Sequence, residues 1–172
     1  EKFDQAMEKL PLYQVIREQE PETWRRVREQ ALSMQKAGES EQNIIDAIQP
    51  QILNIQMSRL QTAPDANVVA FMQANMEQTA QIQKQSDDAC FRFLFPGVKG
   101  GINAAKLLPA EVTQHRLEVD AEMMRAAFGP NKHQVTPQER QQAVQDVQPV
   151  VQKLMKQYGQ DIALMNDPRK AI

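Results

Sequence analysis

Three groups of residues have the types and spacings from which chemistry could be built. The first is the run CFRFLFPGVKGG, Cys90 to Gly101, which gathers the only cysteine, three of the six phenylalanines and three of the six glycines. A nucleophilic thiol needs an accessible, electropositive setting that favours the thiolate. Asp87 and Asp88 precede Cys90 and act against that, and a helical register through the segment turns the sulfur toward a core. The glycines of Gly97–Val98–Lys99–Gly100–Gly101–Ile102 could let backbone donors converge on an anion beside Lys99. No strand precedes them, however, and their spacing is not that of a P-loop.

The second group is Glu111, His115, Glu118 and Glu122, at spacings of four, three and four. On a helix these fall along one edge, where carboxylates and imidazole could ligate a metal, as in the di-iron bundles. Such sites use a Glu-x-x-His order on two helices and further glutamates from two more. Here the order is His115-x-x-Glu118, it occurs once, and His133 lies in a Gly-Pro-Asn-Lys-His loop. A solvated edge between two buried stripes accounts for the pattern without a metal or any other cofactor. The same glutamates lack a pocket that would raise a pKa for acid–base work. No Gly-x-Ser-x-Gly elbow is present either.

The third group is Met72, Met76, Met123 and Met124, which could line a cavity for a lipid or other apolar ligand. Methionines at helical spacing more often fill a core.

The elements that must carry these residues are helical. Of 172 residues 41% are apolar, 24% charged and 5% aromatic, and glutamine, a good helix former, occurs 25 times. Such a length fits one domain. β-Branched runs with strand alternation are missing. The expected fold is all-α, an irregular antiparallel bundle of about six to eight helices, some kinked at internal prolines. It forms a single domain over residues 1–172, with a possible subdomain 1–62 packed on 63–172.

Pro21 opens a helix to Ala37 that Gly38 ends, with Trp24, Val27, Ala31 and Met34 inward. Ser40 caps a helix to about Gln61 with Ile44, Ile48, Ile52 and Ile55 on one side and Pro50 on the other. A long helix runs from Pro64 to about Leu94 on a stripe of Val68, Met72, Met76, Thr79, Ile82, Ser86, Cys90, Phe93 and Leu94. Ala110 to Phe128 carries two apolar stripes and is the expected central element. Thr136–Pro137–Gln138–Glu139 has capping-box spacing and starts a helix to about Tyr158. Its Val144, Val147, Val151, Leu154 and Tyr158 are expected to face inward, with Pro149 outside.

Within this frame Phe91 and Phe95 fall on the long helix's polar face. Either the Pro96–Gly97 turn folds Val98 or Ile102 over them as a helical corner, or they meet a partner. The corner is the favoured reading, and Phe91, Phe95, Val98 and Lys99 are the candidate partner-binding residues.

A net charge of −2 gives no cationic field for nucleic acid. The densest basic run, Trp24–Arg25–Arg26–Val27–Arg28, is ringed by Glu18, Glu20, Glu22 and Glu29. No apolar stretch is long enough to span a bilayer. A start at Glu1 rather than Met suggests a removed segment. The expected location is therefore the bacterial periplasm or another exported site, with the cytoplasm as alternative. The sequence points to a non-catalytic helical protein acting through contact with an unidentified protein, and a homo-oligomer stays open. A metal-dependent protein on the acidic edge and an apolar-ligand carrier are the alternatives.

Overall fold

A computed structural model describes residues 2–171 as all-α, ten α-helices followed by two 3₁₀ segments, with no strand among the described residues. In chain order these are α1 Lys2–Glu8, α2 Pro11–Gln19, α3 Pro21–Lys36, α4 Glu41–Leu60 and α5 Asp65–Gln85. There follow α6 Asp87–Leu94, α7 Pro96–Lys99, α8 Ala104–Leu107, α9 Ala110–Ala127 and α10 Pro137–Tyr158. The 3₁₀ segments are Gly159–Met165 and Pro168–Ala171. The helices outnumber the six to eight expected because the corner after residue 85 breaks into short pieces.

Proline and small polar caps set most of the boundaries. Pro11, Pro21, Pro96 and Pro137 each occupy the first turn of a helix, where the missing N–H costs nothing. Ser40, Ser86 and Thr136 each accept a bond from the backbone N–H three residues on, at 3.1, 3.2 and 3.2 Å. Gly38, at φ 78°, follows α3 in a conformation that L side chains resist. Pro50 and Pro149 lie inside α4 and α10, and both helices run continuously through them.

The chain forms two compact units, divided between His133 and Gln134. In the first, α9 is the central helix, as its two apolar stripes predict, and packs against α2, α4 and α5. Its buried residues, Val119, Asp120, Ala121, Met123, Met124 and Ala127, span roughly 200° of the helical wheel. Leu12, Val15 and Ile16 of α2, Val27 and Ala31 of α3, Ile48 and Ile52 of α4, and Phe71 and Ala74 of α5 complete that core. Residues before and after position 62 thus share one hydrophobic cluster. A smaller cluster, Ile82, Cys90 and Leu108, ties α5 to α6 and the start of α9.

Two expectations fail locally. The long helix is interrupted at Ser86, whose backbone is extended at φ −165° and whose hydroxyl caps α6. Helix α5 keeps Ile82 of the expected stripe but otherwise buries a face turned by about a quarter of the wheel, Phe71, Ala74 and Gln78, with Met72 and Met76 exposed. The larger failure is in the second unit. No residue of α10 is buried, and Val144, Val147, Val151, Leu154 and Tyr158 are exposed, not inward.

The contrast between units predicts a contrast in truncation energies. Ile16→Ala, at a side chain with no exposed surface, should cost about 2–5 kcal/mol in urea unfolding. Val144→Ala in the monomeric chain should stay within about 0.5 kcal/mol. Equal losses at both positions would contradict the description of α10.

Candidate functional site

The segment from Ser86 to Gly101 folds back on itself. Asp88 is the hub: its carboxylate accepts from Arg92 Nε at 2.8 Å and pairs with Lys99 Nζ at 3.4 Å. The Arg92 bond, seconded by Lys99, holds the Asp88 carboxyl below its usual range. Arg92 also donates to the Lys99 carbonyl at 2.6 Å, closing the loop made by the Pro96–Gly97 turn. Phe91 and Phe95, one turn apart, meet at a tilt of 49° with centroids at 5.3 Å, and Lys99 Nζ lies 5.7 Å from the centre of the Phe91 ring. The two rings therefore cover each other, with a lysine near one of them, and both are half-buried, as is Val98. This arrangement is a helical corner, in which the paired rings and Lys99 meet, while Ile102 packs with the smaller cluster.

The glycine loop is likewise occupied from within. Gly100 adopts φ 82°, and the Gly101 N–H donates to Asp46 Oδ1 of α4 at 3.1 Å. A carboxylate on that donor is the opposite of an anion cradle. Nearby, Glu41 accepts from Asn103 and Lys106 at 2.8 and 2.9 Å, and Lys106 is the main cause of its lowered pKa. Cys90 is buried, and burial together with the Asp87 charge pushes its thiol pKa up. Both effects disfavour the thiolate.

Along α9, Glu111, His115, Glu118 and Glu122 are all exposed. Gln114 donates to Glu118 at 2.9 Å. Among the described residues no three His, Cys, Asp or Glu side chains are grouped so as to hold a metal ion. The four methionines do not share a lining. Met123 and Met124 have no exposed surface, whereas Met72 and Met76 are 49% and 60% exposed.

Sequence reading missed the buried polar group of the first unit. Asp120 is 4% exposed and sits in the apolar arc of α9. Arg116, one turn earlier, donates from Nε to both carboxylate oxygens at 2.9 and 3.1 Å. Its Nη1 reaches Asn75 and Gln78 of α5, each at 3.2 Å, and its guanidinium lies 4.7 Å over the Phe71 ring. Gln56 of α4 faces the same carboxylate and favours its charged form, though its Nε2 closes no hydrogen bond of ordinary geometry. Burial raises the Asp120 pKa, and Arg116 offsets only part of the rise. The i,i+4 Arg–Asp spacing was visible in the sequence, but nothing there distinguished it from a surface pair. The network joins three helices, and only 13% of the Arg116 and 5% of the Asp120 side-chain surface is exposed.

The other missed feature is the exposed apolar face of α10. Val144, Val147, Val150, Val151, Leu154, Met155 and Tyr158 are between 37% and 58% exposed on a 22-residue helix. The helix is well begun: Thr136 Oγ1 accepts from the Glu139 N–H at 3.2 Å, and Glu139 Oε2 accepts from the Thr136 N–H at 2.8 Å. No protein-family model, curated protein or solved structure matches this chain.

Replacing Asp120 tests the buried pair. Asp120→Ala leaves the Arg116 charge unpaired and should cost about 3–5 kcal/mol at neutral pH. Because the folded pKa lies above the ordinary 3.8, the native state binds the extra proton between those two values. The Asp120 contribution is therefore fully present below pH 3.8 and is lost as pH rises through the folded pKa. Asp120→Asn should remove this dependence, so its stability relative to the parent should improve as pH rises through the window. Parallel pH profiles in denaturant titrations would refute the assignment.

Proposed function

We propose that this protein works by contact with another protein surface and not by catalysing a reaction, and that the contact surface is the apolar face of α10. One observation carries the reading: a capped helix of 22 residues with seven large apolar side chains exposed and none buried. A lone helix of this length is marginal in water, and helices in proteins are held mainly by the packing of an apolar stripe. A stripe this continuous is more than the scattered surface apolar residues that need no explanation. The enclosed thiol of Cys90 and the already bonded N–H of Gly101 add support.

The corner at Phe91, Phe95, Val98 and Lys99 is the weaker candidate surface. Its two rings spend part of their area on each other, and Lys99 is tied to Asp88.

A photoreactive amino acid at Val147 or Val151 should give a discrete cross-linked species in the cells that make the protein. The same group at Gln145 or Gln152, on the polar side, should not. Val147→Glu with Val151→Glu should abolish the species while leaving the main thermal unfolding transition within about 2 °C. A diffuse or absent adduct, or a double variant that no longer folds, would overturn the reading.

A further inference from the structure

We infer that the occupant of the α10 face is α10 of a second copy of this chain, paired antiparallel about Pro149; this rests on the contact reading just proposed. The first support is register. Val144, Val147, Val151, Leu154 and Tyr158 recur at intervals of three, four, three and four, the a and d spacing of a coiled-coil seam. Val150 and Met155 flank the seam on its two sides, as g and e positions do. Pro149 lies at about 180° from the middle of the stripe, so its ring points away from a partner helix. A proline anywhere on the seam would block close approach; on the outside it does not.

The second support is self-complementarity. A two-fold axis beside residue 149 sets Val144 against Leu154 of the other copy and Val147 against Val151, each contact made twice. Isologous pairing of this kind is the commonest route to a closed dimer. From the exposures above, the seven side chains offer on the order of 600 Å² per copy. A pair would then bury about 1,200 Å², the lower edge of specific interfaces. Such an area predicts reversible association in the micromolar range and not an obligate dimer.

Charge chooses the direction. The first half of α10 carries Glu139, Arg140 and Asp146, and the second carries only Lys153 and Lys156. Antiparallel pairing sets the net-acidic half of one copy beside the basic half of the other and opposes the two helix dipoles favourably, although Asp146 and Lys153 themselves lie off the seam. Parallel pairing would set each lysine beside its own copy. The same charges argue against a lipid surface. Helices that lie on membranes carry a strongly basic polar face, whereas three basic residues here are set against two acidic ones among glutamines.

Sedimentation equilibrium of the full chain, loaded above the micromolar range, should return twice the 19.6 kDa of one copy. Val147→Glu with Val151→Glu should weaken association at least about tenfold, and Gln145→Glu should not. Direction is read on a Cys90→Ala background. A mixture of Val144→Cys and Leu154→Cys chains should form a disulfide on mild oxidation, and Val144→Cys alone should not. Rapid linking of Val144→Cys to itself would overturn the antiparallel arrangement. A monomer at every concentration, with Val147 cross-linking to a different protein in cells, would overturn self-pairing and leave the contact reading standing. A monomer with no discrete adduct would remove both.

Discussion

The first unit depends on the need of one helix to be covered on more than one side. Over half of the α9 circumference is buried, and no single neighbour can cover so wide an arc. Helices α2, α4 and α5 therefore gather around it, each contributing one apolar stripe. Met123 and Met124, adjacent in sequence and so about 100° apart around the helix, are both without exposed surface and supply adaptable side chains to that core. Cross-ties from polar side chains fix the arrangement: Gln19 donates to the Met124 carbonyl at 3.0 Å, and Thr62 to the Ala127 carbonyl at 3.3 Å. Arg59 reinforces the same end, pairing with Glu20 and lying 4.3 Å over the exposed ring of Phe128.

The cost of that close packing is a carboxylate in the interior. Arg116 and Asp120 are both on α9, so the pair is preformed by helical spacing before any neighbour docks. What tertiary structure adds is the amide fringe from Asn75 and Gln78 and the aromatic floor of Phe71. The geometry of this fringe thereby couples the height of α5 to that of α9.

Much of this architecture was legible in the sequence, and the reasons are local. The stripes of α3 and α4, the capping box at Thr136, the central position of α9 and the corner at Pro96 each follow from spacing and turn chemistry within one segment. The misreadings share a cause. The break at Ser86 is a competition between a helix that could continue and a hydroxyl that can cap the next one, and periodicity is blind to its outcome. Asp120 shares its spacing with surface ion pairs, and only the surrounding helices reveal its burial. The α10 stripe has the signature of a core-facing helix; amphipathicity says that a face wants cover and is silent on whether that cover comes from the same chain. Both candidate chemistries were tempting because their residue types are reactive, yet the thiol is enclosed and the acidic edge points into water.

Pro149 has a consequence beyond the geometry of α10. The segment from Val144 to Met155 contains four valines, a leucine and a methionine with one acidic and one basic residue among them. In an unfolded or newly made chain, such a composition favours cross-β stacking. A proline near its middle removes a backbone donor that every strand of a fibril would need, while an α-helix tolerates it on the outer side. The ring therefore opposes strand pairing of this segment without interrupting the helix.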